Sequence, residues 1–99
     1  MSHAIQQVTI RGLVQGVGYR AFVELQAEIL GIEGWVRNRR DGSVEVVAAG
    51  DAAKIESLLA ECQKGPPMSR VAMIDVNDAT EDMLGLRNAG ETFSFLPTA

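Results

Sequence analysis

A single cysteine, Cys62, among 99 residues excludes an internal disulfide and any thiolate metal cluster. The single histidine, His3, sits next to the start, so a zinc site would have to be assembled almost wholly from carboxylates, a poor ligand set for that metal. No tightly held metal and no cofactor is therefore expected. Apolar runs stop at four residues, as in Val46-Val47-Ala48-Ala49, against the ~20 that a bilayer-spanning helix requires. The opening residues, Met1 to Gly12, lack a charged region followed by an apolar one, so no secretory signal is read and the expected location is the cytoplasm. Aromatics are few: three Phe, one Tyr and one Trp. Together with a net charge of −4, that scarcity argues against a nucleic-acid surface, which needs a broad basic face or stacking platforms.

An apolar fraction of 46% is ordinary for a folded protein, and 99 residues leave room for one domain over 1–99 with one core. The charge is unevenly spread. Residues 1–40 carry five arginines against three glutamates, while residues 41–99 carry four basic and ten acidic side chains. An acidic body with a local arginine cluster suits the capture of one small anion.

The stretch Gln6 to Arg11 alternates polar and apolar, with Val8 and Ile10 on one side, which predicts a half-buried strand. Three glycines between Gly12 and Gly18 break that pattern into a loop. From Arg20 the period becomes helical: Phe22, Val23, Gln26, Ala27 and Leu30 share a face, and Gly31 stands at the C-cap. Trp35-Val36-Arg37 and Ser43 to Ala49 read as two strands joined through Asp41-Gly42, a hairpin signal. Asp51 is a good N-cap for a second helix in which Ile55, Leu58, Leu59 and Cys62 line one face, and Pro66-Pro67 bars its continuation. Val71 to Val76 predicts a fourth strand, residues 77–91 a surface loop with little order, and Phe93 to Leu96 a short closing strand. The order β-α-β-β-α-β plus a tail strand predicts an α+β, ferredoxin-like sandwich: a mainly antiparallel sheet with both helices on one face. That architecture alone names no function.

The chemistry concentrates in Gln15-Gly16-Val17-Gly18-Tyr19-Arg20, between the first strand and the first helix. Glycines let the backbone turn tightly, and successive N–H groups there, together with the free N–H groups of the helix that follows, form a cradle suited to phosphate. A glycine-rich turn can equally be only a turn. Arg20 is the informative residue, because a cation in the first helical turn opposes the helix dipole by roughly 0.3–1 kcal/mol. A guanidinium there can grip phosphate oxygens in a bidentate fork. Gly16 to Ala21 formally matches the relaxed dinucleotide fingerprint G-x-G-x-x-A, but the second strand runs into a hairpin and the chain is too short for a doubly wound sheet. No Walker motif is present. Asn38, just before the hairpin, is a common turn residue, or a neutral amide able to hold a water through one donor and one acceptor contact. Trp35 reads as core or a packing wall, Arg37, Arg39 and Arg40 as a solvated rim, and Met68, Met73 and Met83 as packing or loop residues.

Three segments taken together, Gly12 to Arg20, Leu30 to Asn38, and Asp41 to Val46, closely resemble the acylphosphatase family, and Gly65-Pro66-Pro67 followed by Val71 also fits. The resemblance covers most of residues 5–76 in order and spacing. It implies an acylphosphatase, a metal-independent hydrolase that splits the carboxyl–phosphate bond of a small-molecule acyl phosphate and acts as a monomer. Arg20 would be the phosphate-binding catalytic arginine, helped by backbone N–H groups of Gln15, Gly16, Val17, Gly18, Tyr19 and Arg20, and Asn38 the residue that orients the attacking water. Tyr19 stands where phenylalanine is also common. The end, Phe95 to Ala99, departs from the family pattern and is expected to leave the site untouched. The rival readings are a non-catalytic phosphate or acyl-phosphate-binding module, including the related domains of larger carbamoyl-transfer proteins, and a ferredoxin-like RNA-binding domain.

Overall fold

The computed structural model describes residues 3–99. Its elements follow the expected order: β1 (His3–Leu13), α1 (Tyr19–Leu30), β2 (Glu33–Asn38), β3 (Val44–Asp51), α2 (Ala52–Lys64), β4 (Arg70–Asp78), α3 (Glu81–Leu84) and β5 (Phe93–Phe95). The sheet runs β4-β1-β3-β2-β5, antiparallel throughout except for the parallel β2–β5 pair. This is the ferredoxin-like sandwich that the alternating pattern predicts.

Alternation along the strands sorts side chains into two clusters. Val8, Ile10, Val44, Val46 and Ala48 meet Val23, Ala27, Ile55 and Leu58 of α1 and α2 in the main core. The spacing of those helical residues is the 3.6-residue period, so each helix lays one stripe on the sheet. α1 closes at Gly31, whose N–H reaches the carbonyls of Ala27 and Glu28. The Asp51 carboxylate caps α2 by accepting from the N–H of Ala53 at 3.0 Å.

The central strands cross closely at Gly34, where a Cβ atom would fall on the carbonyl oxygen of Val47, so only glycine fits this position. That contact fixes the β2–β3 register, in which Arg37 faces Glu45 and Asn38 faces Val44. Between the two strands, the Asp41 carboxylate accepts from both the N–H (2.9 Å) and the hydroxyl (2.6 Å) of Ser43. These bonds hold its carboxyl down at about 2.

Two expectations need correction. Residues 77–91 do not form a loosely ordered surface loop: β4 runs on to Asp78, and Thr80 caps a short helix whose Leu84 is buried. Leu84 joins Trp35, Val47, Ala49 and Leu96 in a second cluster on the sheet face away from α1 and α2. The apolar spacing was too sparse to reveal this, since few anchors suffice to close a segment over an apolar sheet face. Of the expected solvated rim, Arg40 is exposed and Arg39 partly so, but Arg37 is largely covered, and two of the three arginines are paired. Arg37 and Arg39 donate to Glu45 Oε1, at 2.8 and 3.1 Å, and the guanidinium of Arg37 lies over the Trp35 ring.

Trp35 anchors the second cluster through a bond from its indole N–H to the carbonyl oxygen of Met83, at 2.7 Å. Trp35→Phe should retain the fold, lose about 1–3 kcal/mol of stability in urea titration, and speed amide exchange in residues 81–86 before the rest of the sheet.

Candidate active site

The turn from Val14 to Gly18 carries the chain from β1 into α1. Gly16 and Gly18 take φ of 74° and 81°, a left-handed conformation that side-chain-bearing residues rarely adopt, and a Cβ at either would meet no atom within 4 Å. Backbone geometry, not crowding, selects glycine at both. Among the described residues, none of the N–H groups of Gln15 to Ala21 donates to another backbone carbonyl. The Gly18 N-cap offers no side chain, and the first turn of α1 contains no acidic residue. The other two helices differ: Asp51 caps α2 and Thr80 caps α3. The start of α1 is thus left as a bare set of donors with the positive end of the helix dipole behind them.

Beside them lies a cavity of about 130 Å³, lined from the turn and helix by Val14, Gly16, Gly18, Tyr19, Arg20 and Ala21, and from across the sheet by Asn38 and Phe95. Arg20 lies half-buried at the cavity with no carboxylate partner within 4.0 Å among the described residues. Arg11, Arg37, Arg39 and Arg87, by contrast, all have one. The Arg20 guanidinium is 4.4 Å from the centroid of the Phe95 ring, and its Nη1 donates to the carbonyl oxygen of Leu96 at 3.4 Å.

Asn38 reaches the cavity from the end of β2. Its backbone oxygen accepts from the N–H of Ala99 at 3.0 Å, while its side-chain Oδ1 is buried without a hydrogen-bond partner in the protein. A buried acceptor left in that state costs about 1–3 kcal/mol.

The expected site residues divide accordingly. Gly16, Gly18, Tyr19, Arg20 and Asn38 line one cavity, whereas Gln15 and Val17 do not. Val17 packs against the main core. Gln15 uses its side-chain amide as a cross-link, donating to the carbonyls of Arg39 at 2.7 Å and Ser43 at 2.8 Å. It thereby ties the turn holding Arg20 to the hairpin holding Asn38. The Tyr19 side chain is fully buried, and its hydroxyl donates to the carbonyl oxygen of Cys62 at 2.6 Å. Burial drives its pKa up.

The sequence reading missed Phe95, and it treated the C-terminal end as remote from the site. The chain end instead runs beside β2: Gly34 N–H donates to Thr92, Leu96 N–H to Val36, Ala99 N–H to Asn38, and Arg40 N–H to Ala99. The alternation of Phe93 and Phe95 was visible in the sequence. Their parallel pairing with β2, which brings Phe95 to the cavity, was not.

No carboxylate, imidazole or thiol lines this cavity. Among the described residues, no group of three or more His, Cys, Asp or Glu side chains is placed to hold a metal ion. The arrangement therefore offers anion binding, charge stabilisation and water placement through neutral amides and one guanidinium. In class, the molecule is a ferredoxin-like α+β domain with an uncapped, glycine-bearing strand-to-helix turn.

The family model described as acylphosphatase matches residues 6–85. An acylphosphatase from Bradyrhizobium diazoefficiens is 59% identical over 98 residues, 99% of each chain, and one from Rhodopseudomonas palustris is 55% identical over the same span. The crystal structure of acylphosphatase from Bacillus subtilis superposes with a TM-score of 0.79 at 33% identity, covering 93% of this chain and 97% of that one. The chain belongs to the acylphosphatase family, whose reaction is the hydrolysis of acyl phosphates to carboxylate and phosphate.

Cys62 lies inside the main core, and burial pushes its thiol up to about 12. It should be inert to an aromatic disulfide reagent at pH 8 in the native protein and react fully once urea unfolds the chain. Rapid native labelling would show that the helix–sheet packing opens readily.

Proposed function

We propose that Arg20 and the main-chain donors of the turn and first helical turn bind the phosphoryl group, and that Asn38 orients the attacking water. What supports this reading is the meeting, in one cavity, of an arginine without a carboxylate partner and an amide oxygen without a hydrogen-bond partner. Each lacks what its own ligand would supply: the guanidinium an anion, the amide a water.

The chemistry asks for little more. Water oxygen bonds to phosphorus as the bond from phosphorus to the acyl oxygen breaks, and the electron pair of that bond leaves with the carboxylate. The conjugate acid of such a leaving group has a pKa near ~4, so no general acid is required to expel it. The proton released by water passes to a phosphoryl oxygen of the substrate. Alignment and stabilisation of the equatorial oxygens then carry the rate, and preorganised donors supply both. The side-chain amide of Asn38 holds the water without removing its proton, which aims a lone pair at phosphorus. On this reading the enzyme is metal-independent and works as a single-domain cytoplasmic monomer.

Arg20→Gln should raise the inhibition constant of inorganic phosphate and lower kcat/KM on benzoyl phosphate by at least ~10²-fold. Asn38→Ala should lower kcat by a similar factor and leave the phosphate constant within about twofold of the parent. A folded Arg20→Gln protein with parental kinetics would overturn the assignment, as would an Asn38→Ala protein that loses phosphate affinity and turnover in equal measure.

The parent should release phosphate from benzoyl phosphate at the same rate in EDTA, and be far slower on p-nitrophenyl phosphate, whose leaving group is poorer. Loss of activity in EDTA with recovery in magnesium would refute the metal-independent reading.

A further inference from the structure

Phe95 completes the cavity wall opposite the turn, and nothing in the reaction scheme above uses it. Its position follows from the parallel pairing of β5, in which Phe95 stands against Val36. Phe93 enters the helix-side core and Leu96 the cluster on the other face, so the intervening alternation turns Phe95 to the helix side, toward the start of α1. There its ring lies against the guanidinium of Arg20 at 4.4 Å while 40% of the residue stays exposed.

How an arginine is held decides what it can still bind. Arg37 and Arg39 are fixed by Glu45, and Arg11 by Asp41. A carboxylate of that kind occupies in-plane N–H donors and offsets the charge. A stacked ring acts through the face of the guanidinium, restrains its plane, and leaves the in-plane donors free. Of the five donors a guanidinium carries, the only hydrogen bond at Arg20 among the described residues is the long one to the carbonyl of Leu96.

We propose that Phe95 is a positioning residue for Arg20: its ring fixes the guanidinium plane across the cavity and keeps the edge donors and full charge for the phosphoryl group. The inference rests on the assignment of Arg20 to phosphate binding.

The test compares Phe95→Leu, which keeps apolar bulk and removes the π face, with Phe95→Tyr, which keeps both. The readouts are the inhibition constant of inorganic phosphate, kcat and KM on benzoyl phosphate, and the urea midpoint. Phe95→Leu should weaken phosphate binding roughly 3- to 30-fold, the range of a partly desolvated cation–π contact, and Phe95→Tyr should stay within about twofold of the parent. Parental phosphate binding in Phe95→Leu would overturn the proposal. So would equal losses in the two variants that track the urea midpoint.

A double-mutant cycle separates this inference from the one beneath it. Phosphate binding, followed by phosphorus NMR, should not weaken further when Phe95→Leu is added to Arg20→Gln. A further loss as large as in the parent background would mean that the ring acts independently of the arginine. Parental phosphate binding in Arg20→Gln alone would instead refute the arginine assignment.

Discussion

The site depends on positive charge left without a partner at one place in an acidic protein. The N–H groups at the start of α1 have no cap, no acidic residue stands in its first turn, and Arg20 adds a full cation beside them. In isolation this is unfavourable: the dipole repels the guanidinium by roughly 0.3–1 kcal/mol, and the capping bonds that steady α2 and α3 are missing. On the proposed reading, an anion in the cavity would offset these terms together, and a phosphoryl group would gain the interactions that the folded chain withholds from itself.

Several carboxylates of the sheet and hairpin are bound to partners other than Arg20. Glu45, 9% exposed on the central strand, takes Arg37 and Arg39 together with the amide of Gln7. Asp41 is engaged by Ser43 and Arg11, and Glu33 by Arg87. Gln15 then serves as the neutral link between the two halves of the site, because an amide can bind the hairpin carbonyls without bringing a negative charge near the cradle. A glutamate at that position would place a carboxylate against two carbonyl oxygens and beside the anion site.

The main architecture was legible because its determinants are local. The alternation of Val8 and Ile10, the helical stripe through Val23 and Ala27, the Gly31 and Asp51 caps and the Asp41-Gly42 turn each encode their element within a few residues. The cradle was legible for the same reason, since Gly16, Gly18 and Arg20 are neighbours in the chain. What escaped the sequence reading depends on contacts between distant segments. Leu84 is one apolar residue in a polar stretch, and its burial requires Trp35, which lies some fifty residues earlier, to present an indole N–H to that stretch. Arg37 reads as a surface cation until the β2–β3 register sets Glu45 opposite it. Phe95 reads only as part of a short closing strand until the parallel register turns it toward Arg20.

The small size of the chain and the lability of an acyl phosphate fit one another. A domain this short buries only about 60–70% of its unfolded surface, and nearly every central position here is occupied by packing. A buried acid–base pair would bring desolvation costs of several kcal/mol per ion, and the core has no spare volume for the groups that would offset them. A substrate whose leaving group departs as a carboxylate needs no such pair. Main-chain donors cost no core volume, one guanidinium at the cavity edge remains partly hydrated, and a neutral amide needs no counter-ion. The machinery that this fold can spare is therefore what hydrolysis of a mixed carboxylic–phosphoric anhydride requires, and it would be too little to expel the far more basic alkoxide of a simple phosphate ester.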